Sequence, residues 1–201
     1  EDIAKSIISL SEGGFAVIGN SNSTDGDFSE KTSADHDLFL MKLKDDGSLL
    51  WKKTYGGSGD DLGNSLLQTP EGGFVLLGYS SSQDGDVNPT LGFHDNWIFK
   101  VDKSGNIEWQ NTYGFKGHDH AYNVISTTDG GYFFNGFLDV TASGGEGNDG
   151  RSASRNSHGV GEFWCHKLDA NGNLEWRRYF GGTNNDRSYD ALQTTDGNFL
   201  M

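Results

Sequence analysis

One pattern occurs three times in this chain: WKKTYGGSGDD at 51–61, WQNTYGFKGHD at 109–119 and WRRYFGGTNND at 176–186. A catalytic constellation is needed once. A structural unit that cannot bury its apolar face alone is needed several times. A second pattern keeps step with the first: EGGF at 12–15 and 71–74, DGGY at 129–132 and DGNF at 196–199. Asp2, Asp61, Asp119 and Asp186 hold one place in the unit, and Lys42, Lys100 and Lys167 hold another.

Within one unit the segments are short. DLFLMKLK (37–44) is apolar and β-friendly, and DDG after it is a hairpin signal. SLLWKKTY (48–55) alternates, with Leu49, Trp51, Lys53 and Tyr55 on one face. A glycine-rich loop, the short strand NSLLQT, the turn PEGG and the strand FVLLGYS complete the unit. No helical period persists for three turns. The reading is an all-β β-propeller of four-stranded antiparallel blades, strands a to d, with strand a innermost. The chain then holds about three and a half blades. A half blade spans 1–23, and blades span 37–82, 95–138 and 162–201, with an inserted loop at 142–161. Propellers close with more blades than this. The open strands, with strand c at 3–10 unpaired, predict a larger ring completed by the rest of a longer polypeptide or by another chain.

Trp51, Trp109 and Trp176 lie within strand b and are expected between blades, mostly buried. Cys165, beside Trp164 in strand a, is expected to be a buried, inert thiol. As the only cysteine, it permits no internal disulfide.

In a meander, the d-to-a links and the b-to-c loops emerge on one face. Both links, 23–37 and 82–95, run DGD and then His-Asp, so carboxylates gather there. Two readings fit them. Asp closes turns by bonding nearby backbone, and His36 with Asp61 or His94 with Asp119 could staple blades. Alternatively Asp25, Asp27, Asp35, Asp37, Asp84, Asp86 and Asp95 supply oxygens to calcium. The third link lacks DGD, carries Arg151 and Arg155, and should bind none. HDH at 118–120 presents two imidazoles, but alternate residues on a loop read first as a solvated loop.

Charge narrows the partners. Twenty-nine acids against fifteen Lys and Arg give a net charge of −14. Such a surface repels phosphate backbones and anionic lipid, and no apolar run is long enough to span a bilayer. No nucleophile elbow, zincin or P-loop pattern occurs.

The string W-x-x-T-Y-G-G-S-G-D-D, then S-L-L-Q-T-P-E-G-G-F-V-L-L-G, then D-N-W-I-F-K-V-D-K-S-G-N-I-E-W resembles the β-propeller repeats of large bacterial exported proteins, the SBBP-type family, akin to delta-60 repeats. That resemblance covers essentially the whole chain. It implies a secreted or cell-surface location and a binding or adhesive role, with no catalytic residues to carry over. The expected function is therefore non-enzymatic binding of protein or glycan through the acidic loop face. The alternatives are a purely structural segment of a surface or secretion assembly, and a polysaccharide hydrolase or lyase.

Overall fold

The computed structural model describes residues 1–31, 33–140, 142–143, 161–182 and 185–201. The chain is an all-β partial propeller. Strands β1 (Asp2–Ser9), β2 (Phe15–Ser21), β3 (Asp37–Leu43) and β4 (Leu49–Tyr55) form the first antiparallel blade. The second holds β5 (Asp61–Gln68), β6 (Phe74–Ser80), β7 (Asp95–Val101) and β8 (Ile107–Tyr113). The third holds β9 (His120–Ser126), β10 (Tyr132–Asp139), β11 (Gly161–Leu168) and β12 (Leu174–Phe180). A hairpin of β13 (Leu192–Gln193) and β14 (Phe199–Leu200) follows.

The blade boundaries differ from the sequence expectation. Each blade runs c-d-a-b, so the expected half blade at 1–23 is the first half of a complete blade. The expected blade 37–82 is split between two sheets, as are 95–138 and 162–201. Strand c at 3–10 is not unpaired, because β1 pairs with β2 from Asp2↔Ser21 to Ser9↔Phe15. The chain crosses between blades through the short b-to-c loops. The long d-to-a links fold back instead: 22–36 carries a 3-10 turn at Gly26–Phe28 and buries Phe28 and Lys31 beneath itself. Link length does not say which neighbour a strand will pair with. The expected inserted loop begins among described residues only at 142–143, and 144–160 with Arg151 and Arg155 lies outside them.

Strand c, not strand a, is innermost. Strand β5 packs against β1, β2 and β3 of the preceding sheet, and β9 against β5, β6 and β7. Small residues allow that approach. A Cβ on Gly63 would lie 2.7 Å from Ile18 and 2.8 Å from Leu38. Each inner strand also slips register by one residue, at Lys5, Asn64 and Tyr122. Such bulges bend a strand and re-aim its side chain.

The repeated motifs find their reasons across the blade seams. Trp51 meets Phe74, Trp109 meets Tyr132 and Trp176 meets Phe199, at ring separations of 6.2, 5.8 and 5.8 Å. The Trp of one unit thus packs on the aromatic of the next EGGF-type motif. The tryptophans lie between blades as expected, but they are half-buried rather than mostly buried. The reason is that they sit on the outermost strands. The repeated lysines pair instead within their own blade, each with the acid of its c-to-d turn: Lys42 with Glu12 at 2.7 Å, Lys100 with Glu71 at 3.9 Å, Lys167 with Asp129 at 2.9 Å. Ion pairs whose acid is solvated, as in these three, contribute at most about 1 kcal/mol. Half-covering a Trp at a seam contributes roughly 2 kcal/mol.

The paired glycines have separate jobs. Gly72 adopts φ 84°, which side chains rarely tolerate, while a Cβ on Gly73 would lie 2.3 Å from the Val101 carbonyl oxygen. The fourth motif writes Asn198 at the second place, and β14 pairs only with β13 among the described residues.

Candidate functional site on the loop face

The d-to-a links and b-to-c loops do meet. Ser81 N donates to Asp60 O at 3.0 Å and Asp86 N to Gly56 O at 2.9 Å, joining 81–86 to 56–60. At each seam the repeated Asp donates its backbone N–H to the residue at the entry to strand a of the preceding blade: Asp61 to His36 O, Asp119 to His94 O, Asp186 to Gly161 O, at 2.6, 2.7 and 3.0 Å. Its carboxylate then accepts the amide four residues earlier. Gly57 N donates to Asp61 at 2.8 Å and Phe115 N to Asp119 at 2.7 Å, and Gly182 N bonds Asp186 likewise. At these three seams the repeated Asp therefore closes the inter-blade loop. Burial outweighs these bonds and pushes Asp61 up to about 6 and Asp119 up to about 7.

The seven link carboxylates are mostly engaged with nearby backbone and side chains. Asp84 accepts from Ser58 N at 2.7 Å and Asp86 from Gly56 N at 3.3 Å. Asp35 accepts from the Ser33 hydroxyl at 2.7 Å. Asp37 pairs with buried Lys31, yet burial holds its carboxyl above the usual range, and its Oδ1 has no hydrogen-bond partner. Asp95 accepts from Leu91 N at 2.7 Å and is pushed up to about 6 by burial. Asp25 and Asp27 are exposed around the 3-10 turn. No three of the seven converge within 4.8 Å among the described residues.

Three imidazoles do converge. One ring nitrogen from each of His94, His118 and His120 lies within 4.8 Å of one from both others. Comparing the seams shows how this arises. At the first seam, Asp60 accepts from His36 N at 3.1 Å and contacts His36 Nδ1 at 3.1 Å. At the third, Asn185 accepts from Gly161 N at 2.8 Å. At the second, His118 occupies that acceptor's place, and His94 N turns to Gly117 O at 3.3 Å. The side chain at 118 is thereby freed from capping. Its Nδ1 instead lies 2.9 Å from His94 Nδ1. The side-chain staples expected for His36 with Asp61 and His94 with Asp119 are thus replaced by His36–Asp60 and His94–His118. The residue one earlier in the chain is the one that faces the link.

Aromatic rings hold the three in place. His120 stacks on Tyr79 at 4.3 Å, and His118 on Phe93 at 4.9 Å. The Nε2 of His120 is buried with no hydrogen-bond partner. Burial, then the neighbouring histidines and Arg187, lower His120 to about 4. Burial and His118 lower His94, against the pull of Asp60. Both shifts favour the neutral imidazole over the cation near neutral pH. The HDH pair was visible in the sequence. The third partner was not, because His94 lies 24 residues away along the chain. The available signal was that only one unit writes His at both seam positions. Cys165 is buried in β11, its thiol pushed up to about 12 by burial, as an inert core residue should be.

No family model matches the chain, and no curated protein is significantly similar to it. Among solved structures, the cobalt-substituted Synechocystis apocarotenoid oxygenase is similar at 17% identity and a TM-score of 0.46, over 88% of this chain and 38% of its own. A chimera of that oxygenase gives 14% and 0.44, over 89% and 39%. A Bacteroides caccae protein of unknown function gives 10% and 0.32, over 92% and 71%. The chain spans about two fifths of the oxygenase's length, and at these scores the likeness says nothing of its chemistry.

Proposed function

We propose that the chain is a non-enzymatic, extracellular or cell-surface binding module that takes up protein or glycan on its loop face. The observation that carries this reading is the tip of the second link. Leu91 is 71% exposed and Phe93 58% exposed, on the link that leads into β7. Beside them lies a cleft of about 270 Å³ lined by Leu91, Phe115, Lys116, Ala142 and Ser143. Apolar side chains presented on a rigid rim are characteristic of interaction sites, and an exposed ring can stack on a sugar face. No described helix is long and apolar enough to cross a membrane. The test is binding of the chain to immobilised glycans and to surface proteins of the producing cell. Leu91→Ser with Phe93→Ser should abolish the signal and leave the melting temperature within a few degrees, as surface changes do. A wild type that binds neither class, or is found only inside the cell, overturns the proposal.

Calcium belongs to this proposal as the cation that would steady the acidic links. Burial raises the Asp37 carboxyl most and Asp35 and Asp86 add to it, against the pull of Lys31, so a further cation there would relieve the remaining repulsion. Binding only the folded state stabilises it by about 2.7 kcal/mol at a hundredfold excess over Kd. Millimolar calcium should then raise the melting temperature relative to EDTA, and Asp84→Ala with Asp86→Ala should remove the rise. If the wild type does not respond, these aspartates are turn formers only.

A further inference from the structure

We propose that His94, His118 and His120 bind one divalent transition-metal ion of the zinc, cobalt and nickel class at the seam between the second and third blades. Imidazole is the ligand such ions favour, and three protein ligands with a fourth position left to water is a standard arrangement. The geometry requires little adjustment. Ligands about 2.0–2.1 Å from a tetrahedral ion stand roughly 3.4 Å apart. The His94 and His118 Nδ1 atoms, at 2.9 Å, need only separate slightly. At 2.9 Å one of these nitrogens donates a proton to the other. Metal binding displaces that proton to an Nε2 atom or to water, and both Nδ1 lone pairs then face the ion. His120 contributes a ring already fixed by Tyr79, with a buried nitrogen that has no partner.

Two further observations support the site. The other seams act as internal controls: Asp60 and Asn185 do capping work there that His118 does not do. Phe93, which covers His118, is itself exposed, so the ion's fourth position is reached from the loop face.

The experiment uses the tag-free chain, stripped with chelator and titrated calorimetrically with zinc. One equivalent should bind. Cobalt should give the visible absorption of a tetrahedral site, and zinc should displace it. The variants are taken from the chain's own repeats. His118→Asn copies Asn185 and His120→Leu copies Leu62, so both should still melt cooperatively. Each should weaken zinc by more than about 100-fold, beyond the usual loss of an outer-shell partner. His36→Ala should bind as the wild type does. Zinc should also shield the three histidines of the unmutated chain from diethyl pyrocarbonate, read by peptide mass, which needs no substitution. Absence of stoichiometric binding by the folded wild type overturns the proposal. So does binding that survives both variants, or a loss in His36→Ala equal to theirs. None of these readouts depends on a glycan or protein ligand.

Discussion

Trp97→Ala should lower stability by ~3–5 kcal/mol, the range for removing a large buried aromatic. Trp97 is fully buried in the largest core cluster, stacks on Phe99 at 4.2 Å and donates its Nε1 proton to Gln110 at 3.1 Å. Truncation leaves a cavity and removes one of the two hydrogen bonds the Gln110 amide oxygen accepts, the one from Asn88 N remaining at 3.1 Å. For a chain of this size that is a fall of roughly 10 °C or more in melting temperature. Trp109→Ala should cost less, about 2 kcal/mol, because that ring is half-buried and loses mainly Tyr132 and the Gly172 backbone beneath it. Urea denaturation of both variants makes the comparison. A Trp109 effect below about 1 kcal/mol would mean the seam does not need the ring, and would leave it free to face a ligand. An equal effect at the two sites would contradict the assignment of Trp97 to the core and Trp109 to a seam.

Asp119→Asn should gain on the wild type as pH rises. The folded carboxyl titrates at about 7, against an ordinary value of 3.8, because burial outweighs the two backbone amides it accepts. Between those values the folded state holds more protons than the unfolded one. Stability from this group is fully present below about pH 4 and is lost as pH rises through 7. Asparagine does not titrate, so the gap between variant and wild type should change by about 1 kcal/mol per pH unit across that window. The wild type alone will show less. His120 and His166, lowered by burial to about 4 and about 3, lose stability as pH falls below 6.5 and oppose the carboxylates. Denaturant melts of both proteins at pH 5 and pH 8 provide the measurement. A gap that does not move with pH would show that Asp119 titrates alike folded and unfolded.

Much of the architecture was legible in the residues. Period-two alternation, tight Gly turns and the threefold return of Trp, EGGF and Asp determined short antiparallel strands in stacked sheets. Repetition carries this information because each unit must satisfy the same seam. The partners of those motifs followed only from the fold. Trp109 needs Tyr132, Lys42 needs Glu12, and Asp119 needs the amide of Phe115; only the last lies within one loop.

The sheet partition was not legible. Hydrogen bonds decide whether β2 pairs with β3 or leaves it for the next blade, and both a 15-residue link and a five-residue loop can close either way. Burial of Phe28 and Lys31 folds the long link back on itself. Bulges at Lys5, Asn64 and Tyr122 bring the c strands inward. The histidine cluster lay further out of reach, because its three rings come from a link in one blade and a loop and inner strand of the next. The sequence by itself determined which residues recur and therefore what every seam must contain. Only the tertiary structure decided what the one divergent seam brings together, because a seam joins segments that no local preference relates.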